Sequence, residues 1–108
     1  MLEKIYKYQR INQKIIEKII ADENIALNHM VLTKETGLPE HYSNSNVYMI
    51  IIRGVMTLKL DEQEAMEYKA GDIINIPYNT KMNVNNFQEE VLEFFVVKSP
   101  NPKYYKGE

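Results

Sequence analysis

The 108-residue chain has no cysteine, no tryptophan, and only four glycines and four prolines. Without cysteine there is no disulfide framework, no thiolate metal site and no cysteine nucleophile. No apolar run approaches the ~20 residues of a membrane span. The opening Met1-Leu2-Glu3-Lys4 has no apolar signal core. A basic excess is also missing. The 13 Lys and Arg against 15 Asp and Glu leave a net charge of −2, where a nucleic-acid binder would carry a positive surplus. No internal repeat or low-complexity tract stands out. These absences point to a soluble, cytoplasmic, single-domain protein with no nucleic-acid and no membrane partner. What remains is ordinary globular composition, 44% hydrophobic and 26% charged. A chain this size buries roughly two-thirds of its unfolded surface, enough for one core. Heavy use of Ile, Lys and Asn suggests an AT-rich bacterial genome.

The scarce glycines and prolines mark the turns: Gly37-Leu38-Pro39, Gly54, Gly71-Asp72, Pro77, then Pro100 and Pro102. Short strand-forming runs lie between them, at 25–32, 47–52, 55–60, 65–68, 73–76 and 91–97. Val55–Leu60 alternates apolar and polar before the polar tip Asp61-Glu62-Gln63-Glu64, which makes residues 65–68 its hairpin partner. Many short strands with turns every 8–12 residues read as a β-sandwich or small barrel. The first twenty residues are ambiguous. Ile15, Ile16, Ile19 and Ile20 suit one face of a helix, whereas the β-branched content of 14–20 suits a strand. Strand is favoured, because the rest of the chain offers β partners. The prolines of 99–105 prevent that tail from continuing a central strand. Tyr104 and Tyr105 are candidates to dock it.

Two segments carry a motif. In Gly71-Asp-Ile-Ile-Asn-Ile-Pro77, a glycine and a proline stand at the spacing of a two-part signature that continues through a second Gly, a His and an Asn. Those places hold Asn79, Met82 and Asn86. The other half runs from Gly54 back to Val47, Ser43 and His41, where the signature has Glu, His and His. Gly37 lies four residues before His41 instead of six. On these residues the chain resembles the cupin superfamily over about 14–100, with sixteen residues between the motifs as in the smallest bacterial members. The resemblance implies an all-β, single-domain cupin jelly-roll β-barrel (a double-stranded β-helix): an N-terminal arm at 1–13, a barrel at 14–98 and a tail at 99–108. It also implies a homodimer, with an N-terminal strand augmenting the sheet of a twin subunit.

Metal-binding cupins hold their ion with two or three His and a Glu. Of those four positions only His41 is kept. A hydroxyl, a Val side chain and a thioether at 43, 47 and 82 are poor or absent donors for first-row metals. The expectation is therefore no bound metal and no cofactor, and metal-dependent cupin chemistry is not carried over. His41 becomes the leading site residue, a group able to accept a proton or donate to an anion near neutral pH. With Ser43, Val47, Met49 and Met82 it would line a pocket for a small, partly apolar molecule. The alternative is a metal-independent isomerase, epimerase or cyclase in which His41 works with a tyrosine, Tyr48 first and Tyr42 or Tyr78 after it. His29 stands either as a satisfied core or interface group or across the barrel from His41. Asn86 and Gly71-Asp72 are read as fold devices, and 61–64 as a solvated hairpin tip.

Overall fold

Period-two alternation gives ten strands in the computed structural model, which describes residues 1–106: β1 Ile15–Ala21, β2 Ala26–Leu32, β3 Thr36–Gly37, β4 His41–Tyr42, β5 Asn46–Arg53, β6 Val55–Leu60, β7 Met66–Lys69, β8 Ile73–Ile76, β9 Lys81–Asn86 and β10 Leu92–Ser99. Residues 15–21 are strand, as their β-branched content favours. Every run expected from the sequence is present within a residue or two at each end. The short β3 and β4 and the longer β9 were not among them. Met82 and Val84 alternate with Asn83 and Asn85 there, and the low β-propensity of Asn hides the period.

The strands form two antiparallel sheets, ordered β1-β2-β10-β5-β8 and β3-β9-β6-β7, with β4 paired to β9. Their inner faces meet. Leu32, Val47, Ile51, Leu58, Ile76, Val84, Leu92, Phe94 and Val96 fill the space with four methionines, Met30, Met49, Met56 and Met82. Unbranched thioethers fill irregular gaps where two curved sheets do not match in shape.

Two backbone positions explain the motif residues. Asn79, at a glycine place of the signature, has φ 63°, and Asn tolerates that left-handed region better than most residues. Gly54 has φ 85°, and a Cβ there would run into the Val91 carbonyl oxygen and the Leu92 backbone. Asn86 is fully buried. Its Nδ2 donates to the Leu32 and Glu90 carbonyls, both at 2.9 Å, and its Oδ1 accepts from Gln88 N–H at 2.9 Å. It acts as a fold device. The tail packs through Tyr105, stacked on Tyr78 with centroids 4.4 Å apart.

Register decides which side chains can share a site. On β10, Phe94 and Val96 point inward, so Glu93, Phe95 and Val97 point outward. His29 pairs with Phe95 and with Glu17 of β1. It therefore lies on the outer face and does not meet His41 across the barrel. Tyr48, opposite Val97, also faces outward. Between β5 and β10 the register slips, Glu93 facing Arg53 while Phe94 faces Ile51. Ile52 is the extra residue of this bulge, and Arg53 is turned outward beside Glu93.

Candidate functional site

At one end of the barrel, β4, β5, β9 and β10 converge on a small cavity of about 40 Å³. Its wall is apolar, from Met30, Leu38, Val47, Met49, Met82 and Val96, and its rim is polar, from His41, Ser43, Asn44 and Lys98. All five residues expected to line a ligand pocket, His41, Ser43, Val47, Met49 and Met82, are in this wall or rim. β4 pairs with β9 so that His41 faces Met82 directly. Val47 and Met49 reach the same space because they share the inward face of β5.

The His41 ring Nδ1 lies 2.9 Å from the Pro39 carbonyl oxygen. A carbonyl only accepts, so Nδ1 carries the proton and a neutral ring keeps Nε2 as an acceptor. His41 is solvent-exposed at the rim. Ser43 Oγ is already committed: it donates to the Pro77 carbonyl at 2.6 Å and accepts from Thr80 N–H at 2.8 Å. This serine pins the second motif to the first and offers a ligand little.

Lys98 is the rim group that motif reading passes over. The signal was available: counting by twos from Phe94 through Val96 places residue 98 on the inward face. Burial pushes its ammonium below the ordinary lysine range, and the neighbouring Lys18 charge adds to the shift.

Comparisons with known proteins agree with this architecture. An uncharacterized protein of the archaeon Methanocaldococcus jannaschii is 47% identical over 104 residues, covering 95% of this chain and 90% of that protein. Its crystal structure, described as an RmlC-like cupin with a double-stranded β-helix fold, superposes with a TM-score of 0.92 over 95% of both chains. The chain belongs to the cupin superfamily. Two solved structures share the fold at low identity. A Cupin 2 conserved barrel domain protein of Salinispora arenicola has a TM-score of 0.79 at 16% identity, over 96% of this chain and 94% of that one. A cupin superfamily protein of Desulfitobacterium hafniense has 0.73 at 11%, over 87% and 84%. No protein-family model matches the chain. The expected bacterial affiliation gains nothing from the 47% identical relative, which is archaeal.

The residues at the ligand positions do not fit the metal that many cupins hold. His41 offers one nitrogen, Ser43 is engaged on both sides, and Val47 and Met82 bring no hard donor. Among the described residues no group of three or more His, Asp or Glu could hold an ion.

The tyrosines do not join His41. Tyr48 is on the outer face, 3.2 Å from the Asn46 amide nitrogen, which donates to its hydroxyl. Tyr42 is exposed and Tyr78 stacks on the tail. Because β-strand side chains alternate, inward Val47 and Met49 send Tyr48 outward. This corrects the expectation that His41 and Tyr48 share a site.

His29 heads a separate cluster on the outside of this cupin. Its Nδ1 is 2.7 Å from Glu17 Oε1 and its Nε2 2.6 Å from Glu93 Oε2, with the ring fully buried. Both ring nitrogens can donate only when the ring carries both protons. Arg53 Nε lies 3.1 Å from Glu93 Oε1, an ion-pair distance, but lacks the alignment of a hydrogen bond. The other Arg53 nitrogens hold the N-terminal arm, donating to Asn12 Oδ1 at 2.6 Å and the Ile11 carbonyl at 3.1 Å. Tyr8 covers the cluster, its ring 4.6 Å from His29 and 4.9 Å from Phe95. Desolvation acts to raise the Glu17 carboxyl's pKa. The Gln9 backbone N–H and the His29 ring outweigh it and hold Glu17 below the usual carboxylate range. The cluster fastens residues 8–12 to their own sheet.

Proposed function

We propose that this cupin binds a small, partly apolar molecule at the barrel mouth without a metal. One observation supports the reading above the others. Five residues picked from the two motifs line one cavity whose wall is hydrocarbon and thioether and whose rim holds a few polar groups, the usual make-up of a ligand pocket. At about 40 Å³ the cavity admits only a small group. Met30, Met49 and Met82 are the side chains able to repack for a larger one. Acid–base catalysis is the less supported reading. His41 has the Pro39 carbonyl as its partner, with no second titratable side chain at hydrogen-bond distance among the described residues.

The test is a small-molecule screen read on the methionine methyl signals of labelled, full-length protein. Binders should move Met30, Met49 and Met82 together. His41→Ala should weaken them roughly five- to a hundred-fold, the worth of one polar contact. A library that moves none of the three methyls would overturn the reading. Chelator should leave the melting temperature unchanged, and near one equivalent of transition metal in the purified protein would refute the metal-free part.

We further propose that two copies pair. β1 is an edge strand of the sheet ordered β1-β2-β10-β5-β8. On the outer face, Ile50 and Ile73 sit opposite each other, flanked by the half-exposed Tyr48 and Ile52. An open edge beside an apolar strip invites association, and a symmetric twin is the commonest way to cover both.

A further inference from the structure

Beside the barrel cavity lies a second pocket of about 200 Å³, formed by the ends of β1, β2 and β10 and the tail. Lys18, Asn28, Lys98 and Asn101 supply its polar lining, and Ala26 and Pro102 part of the rest. Its position follows from register. Lys18 pairs with Asn28, Asn28 with Val96, and Lys98 with Ala26. These side chains continue the inward face of the sheet beyond the point where the second sheet stops covering it. Lys98 belongs to both spaces, lining the pocket and the rim of the cavity.

Two ammonium groups line this pocket and no carboxylate does. Among the described residues neither Lys18 nor Lys98 forms an ion pair. A partly desolvated cation beside a like charge is costly to keep unpaired. Asn101 Oδ1 accepts from Lys103 N–H, so its amide nitrogen stays available as a donor. Two lysines and amide donors in one space and a hydrocarbon wall in the other, with Lys98 common to both, match a molecule with an anionic head and a short apolar body.

We propose that Lys18 and Lys98 bind the carboxylate of a small aliphatic acid whose apolar end enters the barrel cavity. This deepens the binding reading above and rests on it. Lys98 stands at the junction of the two spaces, with Lys18 reinforcing the charge from β1. The two spaces that share Lys98, of about 200 and 40 Å³, are of a size for an acid of a few carbons.

The test compares butyrate with 1-butanol, equal in chain length and different in charge, on full-length protein by NMR. Butyrate should bind at least ~10-fold tighter than butanol, as expected for a charge-assisted contact. It should move the side-chain signals of Lys18 and Lys98 together with the Met30 and Met49 methyls. Its affinity should fall as alkaline pH discharges Lys98. Lys98→Met should bring butyrate down to the level of butanol measured on the same variant, and Lys98→Arg should retain most of the preference. Equal binding of butyrate and butanol in the wild type, with methyl shifts, would overturn the anion assignment and leave the cavity reading standing. Lysine shifts without methyl shifts would overturn the shared-site proposal. Absence of any shift from either probe would overturn it as well, while the wider screen still tests the cavity. The wild-type comparison stands even if a variant fails to fold.

Discussion

Asn86 and His41 are both polar and both come from the motifs, yet their environments predict opposite behaviour. Asn86 satisfies three backbone groups in a fully buried corner. Asn86→Ala should cost about 2–4 kcal/mol in denaturant unfolding, because buried partners lose their bonds and gain no water. His41 is exposed at the rim with one hydrogen bond to a carbonyl. His41→Ala should cost well under the ~2–5 kcal/mol of a large-to-small change in a core, and its effect should fall on ligand affinity. A loss of several kcal/mol in the melt would make His41 a structural residue. Lys98 differs again. Its lowered ammonium means that the folded protein binds fewer protons than the unfolded chain as pH approaches the lysine range, so stability there rises with pH. Lys98→Met should therefore be neutral or slightly stabilising near pH 7, by less than ~1 kcal/mol once solvent screening is allowed for. Destabilisation of several kcal/mol would show that the ammonium has a protein partner.

At the scale of elements, the arm is the segment whose attachment depends on charge. Gln9 N–H donates to Glu17 Oε1 at 3.1 Å, and the same oxygen faces His29. Glu17 titrates below its ordinary value of 4.5. A carboxyl lowered by folding stabilises the state in which it is charged. Its contribution is thus fully present above about pH 4.5 and is lost as pH falls through the lower folded value. Amide exchange at Gln9 should stay protected at pH 6 and accelerate, after correction for the intrinsic rate, below pH 4. Glu17→Gln should flatten that dependence. A Gln9 protection profile unchanged in the variant would remove Glu17 from the account. Most strands were legible from alternation alone, because apolar residues at every second place can bury only as a strand face. β9 was not, since its outward positions are asparagines that also read as turn.

For the molecule as a whole, pairing is the testable property. Light scattering at micromolar concentration should give about twice the 12.7 kDa of one chain, and Ile73→Lys or Ile52→Lys should shift the mass toward that of one chain if the outer strip is the contact. A wild-type mass of one chain would refute pairing. A dimer indifferent to both substitutions would move the contact to the β1 edge or the arm.

Local spacing within the chain determined the short strands and turns of a small barrel or sandwich, and the resemblance of its two motifs to the cupin signature supplied the poverty of metal ligands and five lining residues of the cavity. Glycines, prolines and alternating apolar residues act through the backbone within a few positions, so they can be read in one dimension. The tertiary structure decided what depends on register and on strands far apart in sequence. A single bulge at Ile52 turned Arg53 outward to Glu93. Strand pairing put His29, separated by 64 residues from Glu93, between two carboxylates on the outside. Parity sent Tyr48 away from His41, and the meeting of β1 with β10 across β2 brought Lys18 to the pocket of Lys98. Side-chain charges separated by scores of residues have no local signature. Only the pairing of whole strands sets their distance, and with it the chemistry they can share.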